Sequence, residues 1–120
     1  MSASLYDRLG GADGISAIVD DVIAAHLANP AVQARFLNIK DLEHAKQMAR
    51  EFFCAGSGGP EAYSGKDMRT AHTGMNISEQ EYLAVMDDIL GALGKHGIDQ
   101  ATQNEIVAIL YSLKNEIIRV

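Results

Sequence analysis

Apolar residues recur along this chain at spacings of three and four, and no alternating stretch bounded by turn residues occurs. That rhythm predicts helices and no sheet. A short helix or turn over 4–9 stops at Gly10-Gly11. Asp13 then reads as an N-cap, and Ile15, Ile18, Val19, Val22, Ile23, His26 and Leu27 form one stripe. Asn29-Pro30 ends that helix, because the residue before proline avoids the helical region. Tight turns over 31–36 carry Val32 and Phe36 inward. A third long helix is predicted from about Lys40 to Ala55, with Leu42, Ala45, Met48, Ala49, Phe52 and Phe53 on its inner face.

After a glycine-rich middle, Ser78 and Glu81 make a capping-box pattern for a helix to about Lys95. Its stripe is Tyr82, Val85, Met86, Ile89, Leu90 and Leu93. Gly97 fits the position after its end, with Lys95 and His96 favouring the negative helix terminus. Asp99 caps a last helix whose Ile106, Ile109, Leu110, Leu113 and Ile117 face inward. The pattern predicts one all-α domain over residues 1–120, its long helices paired as two antiparallel hairpins.

Composition narrows the function classes. An apolar content of 48% in 120 residues fits a globular chain with a single core. No run approaches the roughly 18 apolar residues of a membrane span, and the N-terminus lacks a secretory layout. The expectation is a cytoplasmic protein without a membrane partner. The net charge of −6 is scattered, which argues against nucleic acid as a partner. The single cysteine, Cys54, reads as a small buried hydrophobe, and no CxxCH for covalent haem attachment occurs.

The usual catalytic signatures HExxH, GxSxG and the phosphate loops are missing, and Asp87 and Asp88 read as the solvated face of their helix. Four histidines remain. His26 lies beside an apolar stripe and reads as a structural residue before a ligand. His96 is a helix-end residue, and His44, near the start of the third helix, is open to either reading. His72 is the best ligand candidate by position: it follows the irregular stretch from Gly58 to Asp67 and leads into apolar residues. Taken alone, it reads first as a satisfied core histidine.

Several pieces together carry a resemblance: SLYDRLGG at 4–11, Phe36, EFFCAGSGGPEAYSGKDM at 51–68 and MRTAHTGMNI at 68–77. Over nearly its whole length the chain resembles a group I truncated haemoglobin. The resemblance implies a globin-like, two-over-two helical sandwich around non-covalent haem b (iron protoporphyrin IX). It makes His72 the proximal iron ligand, a neutral imidazole whose other nitrogen needs an acceptor to fix its tautomer. Phe36 matches the aromatic that packs on the porphyrin. Met68, Ile77, Tyr82, Val85 and Met86 are expected on the proximal and inner haem edges, and Met48, Phe52 and Phe53 on the distal side. Lys46, Arg50, Lys66 and Arg69 are candidates for the propionates, each equally explained by solvation.

The sequence also departs from the family. The usual phenylalanine–tyrosine pair of the second helix is Val22-Ile23 here, so the hydroxyl over the iron is absent. Counting back from Phe52-Phe53 puts Ala45 and Ala49 at the usual polar distal positions, with Met48 between them. Counting forward from Phe36 gives His44, Gln47 and Met48 instead, because the connection around Leu37–Lys40 contains an extra residue. The Gly58-Gly59 match favours the first count. The resemblance implies reversible binding of dioxygen, carbon monoxide or nitric oxide by a monomer or weak dimer. It permits nitric oxide dioxygenation to nitrate, which requires an external electron donor. The alternative is a haem-based redox or gas sensor with a six-coordinate resting iron, in which His44 reaches the pocket.

Overall fold

The computed structural model describes residues 3–120, which form seven helices: α1 (Leu5–Arg8), α2 (Gly11–Ala28), α3 (Gln33–Leu37), α4 (Leu42–Gly56), α5 (Met68–His72), α6 (Glu79–Lys95) and α7 (Gln100–Ile117). Among the described residues the only β-type pairing is an isolated parallel bridge between Ile77 and Ile118. Helix α2 is the centre of the arrangement and packs against α4 and α6, while α7 packs against α6 and α5. The pairs α2/α4 and α6/α7 are the two layers of the sandwich. No helix is long and apolar enough to cross a membrane among the described residues.

Local chemistry explains most of the boundaries. Ser78 and Glu81 form the full capping box, with the Glu81 amide donating to the Ser78 hydroxyl at 3.0 Å and the Ser78 amide to the Glu81 carboxylate at 3.1 Å. Asp99 caps α7 by accepting from the Thr102 amide. At α2 the expected cap is displaced. The helix begins at Gly11 with Gly10 as N-cap, and Asp13 lies inside the first turn. Gly10 has φ +98°, a left-handed conformation that glycine adopts without steric cost. The expected start of α4 at Lys40 also moves, because Asp41 caps it by accepting from the His44 amide at 3.0 Å.

The core is the shared face of α2, α6 and α7. Ile15, Ile18, Val19 and Leu93 are essentially without exposure; full burial of side chains this size contributes about 1.5–3 kcal/mol each. Helix α1 closes one end. Its Tyr6 amide donates to the Ser57 carbonyl at 2.9 Å, and its Tyr6 hydroxyl to Glu61 at 3.0 Å. A side chain at Gly59 would run into the Tyr6 ring, which accounts for glycine where α4 turns away. The chain's end holds the segment after α5: the Asn76 amide donates to the Val120 carbonyl and the Arg119 amide to that of Ile77.

Candidate functional site

Between the layers lies a cavity of about 520 Å³ whose wall is predominantly aliphatic and aromatic. Size and lining are those of a site for a sizeable apolar ligand. Helix α4 contributes Ala45, Met48, Ala49, Phe52, Phe53 and Gly56, a single helical face. From α2 come Val19, Val22, Ile23 and His26; from α6, Glu81, Tyr82, Val85 and Ile89. Phe36 and Arg35 of α3, Ile77, and the inner face of α7 complete the wall.

Met68, Ala71 and His72 reach the cavity from α5. This helix exists because Asp67 caps it, its carboxylate accepting from the Thr70 amide at 3.3 Å. Nδ1 of His72 lies 2.7 Å from the Met68 carbonyl oxygen, which can only accept, so the ring proton is on Nδ1. Nε2 is then left as a lone pair, and the imidazole borders the cavity.

The remaining polar groups on the wall are mostly engaged within the protein. Arg35 forks onto Glu81, with Nε at 2.7 Å and a terminal nitrogen at 3.1 Å, and its other nitrogen donates to the Met75 carbonyl at 2.8 Å. Arg35 and a backbone bond at Ser78 hold the Glu81 carboxyl down at about 2. The Tyr82 hydroxyl donates to the Leu110 carbonyl at 2.5 Å, and burial pushes it up to about 12. Tyr63 and Ser57 donate to the carbonyls of Lys66 and Phe53, each at 2.6 Å.

His26, read from the sequence as a structural residue before a ligand, is packed and paired, and it also borders the cavity. Its side chain is 4% exposed, its ring stacks on Phe36 at 4.6 Å, and its Nδ1 lies 2.7 Å from Asp88. Asn29 donates to both oxygens of the same carboxylate at 3.2 Å. Asp88 is therefore half-buried and engaged rather than solvated, since α6 turns it toward α2. Among the described residues, the Nε2 atoms of His72 and His26 are the cavity-lining side-chain nitrogens without a protein partner.

Of the residues singled out in the sequence, His72, Phe36, Met48, Phe52, Phe53, Met68, Ile77, Tyr82, Val85, Ile23, Ala45 and Ala49 all border the cavity. Met86, His44 and Gln47 do not. The cavity takes positions 81, 82, 85 and 89 of α6, and Met86 falls on the neighbouring face. His44 and Gln47 are exposed, on the outer side of α4, where Gln47 donates to Glu51 at 3.0 Å and accepts from Arg50 at 2.9 Å. Lys46, Arg50, Lys66 and Arg69 also lie off the wall. Lys46 and Arg50 face Asp20 at 3.9 Å, and Arg69 donates to the Asn115 carbonyl. Arg35, Tyr63 and Met75 are wall residues that periodicity does not reveal, because they come from short or irregular segments. Cys54 is buried, and desolvation lifts its thiol to about 11, so it is no nucleophile.

Residues 4–119 match the family described as bacterial-like globin. The chain is 28% identical over 115 residues to a group 1 truncated haemoglobin of Tetrahymena pyriformis, covering 96% of this chain and 94% of that one. It is 30% identical over 115 residues to a group 1 truncated haemoglobin of Mycolicibacterium paratuberculosis, covering 96% and 84%. The crystal structure of the Tetrahymena pyriformis protein in its Fe(III) form superposes with a TM-score of 0.93 at 27% identity, covering 98% of this chain and all of that one. The 2/2 haemoglobin of a Synechococcus, solved in the cyanomet state with covalently attached haem, superposes at 0.87 with 27% identity, covering 96% and 98%. The chain belongs to the bacterial-like globin family, as a group I truncated haemoglobin with the two-over-two fold. Membership implies haem.

Proposed function

We propose that the cavity holds haem b without a covalent link and that His72 is its proximal ligand. The observation that carries this is the Nδ1–Met68 hydrogen bond, which leaves Nε2 of His72 as a free lone pair on an apolar cavity wall. A half-buried imidazole fixed in one tautomer by a backbone carbonyl is the donor that haem iron takes. Phe36 and Phe53 offer aromatic surface to a flat macrocycle, with Met68, Ile77, Tyr82 and Val85 at its edges. Haem held there would supply an iron able to bind a diatomic gas.

The far wall decides what such a site does with oxygen. Ile23, Ala45, Met48 and Ala49 present no hydrogen-bond donor of hydroxyl or amide type. The site therefore takes dioxygen, carbon monoxide and nitric oxide reversibly, with rapid oxygen release and weak discrimination in favour of oxygen. That suits transient binding or oxygen transport more than prolonged storage. Nitric oxide dioxygenation, which needs oxygen retained and an external reductase, is the slower use of the same site. His44, exposed on α4, gives no support to a six-coordinate resting state through that residue.

Absorption spectra of the purified protein in ferric, deoxygenated ferrous and carbon monoxide-bound forms test the reading. It predicts a Soret band in all three and a high-spin, five-coordinate deoxygenated form. A colourless protein, or a low-spin deoxygenated form, is the contrary result.

A further inference from the structure

A carboxylate and an imidazole together span the wall between α2 and α6. On the outside, Asp88 borders a surface groove shared with Asp21, Asp87 and Lys95. On the inside, His26 borders the cavity and not the groove. The 2.7 Å contact joins them, and Asn29 pins the carboxylate in place. An apolar side chain at position 26 would continue the stripe of Val19, Val22 and Ile23. A buried ionisable pair adds desolvation cost there, so it is weakly explained by stability alone.

The orientation of the ring has a chemical consequence. Asp88 accepts a hydrogen bond from Nδ1–H, so the neutral imidazole keeps its lone pair on Nε2, and the ring borders the cavity. Nε2 has no protein partner, although the side chain is only 4% exposed. It is a base facing an apolar chamber, with a carboxylate behind it to stabilise the imidazolium and a solvent groove behind that. Burial, partly opposed by Asp88, lowers the affinity of His26 for protons, so near pH 7 the imidazole is neutral and its Nε2 is unprotonated.

We infer that the His26–Asp88 pair equips the cavity to take small weak acids of the type H–X, hydrogen cyanide and hydrogen sulfide being examples, by accepting their proton. Such an acid enters an apolar cavity as the neutral molecule, because desolvating the anion is costly. The H–X bond breaks, its electron pair stays on X, and the proton forms a bond to Nε2 of His26. The Nδ1–H of the imidazolium goes on donating to Asp88, whose carboxylate balances its charge. The anion X⁻ is the form that ligates ferric iron, so the inference rests on the haem reading above. Other charged groups at the chamber are few. Arg35 of α3 and Glu81 of α6 are paired with each other, His72 of α5 is held by Met68, and α4 and α7 turn no charged side chain to the wall.

The test uses the haem-loaded protein with cyanide as the probe. Cyanide association with the ferric form at pH 7 is expected to slow roughly a hundredfold in His26→Leu and in His26→Gln, while carbon monoxide association, which involves no proton, is unchanged. Asp88→Asn is expected to slow cyanide similarly, because an amide can donate to Nδ1 and move the ring proton to Nε2. Nitrogen-15 NMR of His26 in the diamagnetic carbon monoxide form reads this directly: Nδ1–H in the wild type, Nε2–H in Asp88→Asn. Unchanged cyanide rates in both His26 variants, with Soret band and carbon monoxide binding intact, would overturn the inference and leave the haem reading standing. An Nε2–H tautomer in the wild type would overturn it equally. A wild-type protein without a Soret band would remove the haem reading itself.

Discussion

The Nδ1 atom of His72 lies 2.7 Å from the carbonyl oxygen of Met68, four residues earlier on the same short helix. The acceptor is backbone, so no side-chain substitution at position 68 deletes it. What keeps it in place is the helix itself, and α5 is only five residues long. A helix that short depends on its cap and its packing.

Asp67→Ala should therefore loosen His72 without touching it. The Thr70 side chain, and after it the Thr70 amide that donates to the Asp67 carboxylate, keep that carboxyl below its usual range. Removing the cap is expected to speed haem loss to an excess of a haem-free acceptor globin, with the Soret position unchanged. Haem loss at the wild-type rate would show that packing against α7 alone orders the segment.

Ile23→Tyr should restore the missing distal donor. Ile23 is 5% exposed and borders the cavity on α2. A hydrogen bond to polarised dioxygen contributes about 1.5–3 kcal/mol, which slows release by roughly one to two powers of ten if all of it falls on dissociation. Stopped-flow oxygen dissociation checks this, and carbon monoxide release, less sensitive to a donor, serves as the control.

Acid sensitivity should have a component belonging to His26. Its proton affinity is lowered in the fold, first by burial, against an opposing pull from Asp88. As pH falls below the ordinary histidine value of 6.5, the unfolded chain takes up a proton that the folded chain resists. Stability therefore declines from about pH 6.5 downward and levels off below the folded-state value. His26→Leu is expected to flatten this part of a curve of urea midpoint against pH.

The fork between Arg35 and Glu81 acts in a more acidic window. The Glu81 carboxyl stands at about 2 against an ordinary 4.5. Its contribution is present above pH 4.5 and is lost as pH falls from there through about 2. Glu81→Gln should reduce the steepness of acid unfolding in that window and lower the melting temperature at pH 7, because α3 loses its tie to α6. Circular dichroism melts across pH measure both.

How far the sequence could be read depended on how local each signal was. The capping box at Ser78 and Glu81 lies within one turn and was legible outright. So were the stripes of α2 and α6 and the punctuation at Asn29-Pro30. The start of α2 was misplaced onto Asp13 because Gly10, without a side-chain bond, caps by its left-handed backbone alone. For the register of α4 the sequence offers two counts and favours the one anchored at Gly58-Gly59; with Asp41 as cap, Ala45 and Ala49 border the cavity and His44 and Gln47 are exposed. Met86 was placed on the cavity because a stripe gives a broad face, not the narrower arc that meets the chamber. The His26–Asp88 pair was illegible: its partners are 62 residues apart, and periodicity does not say which polar residues on two helices meet.

Everything proposed for this site turns on His72 as the ligand of the haem iron. Its most direct measurement is the absorption spectrum of His72→Gly, reconstituted with haem in the presence and absence of added imidazole. The five-coordinate ferrous spectrum is expected to be lost or markedly altered in the variant, and to return when imidazole occupies the vacated space. A variant whose spectrum matches the wild type without imidazole would contradict it.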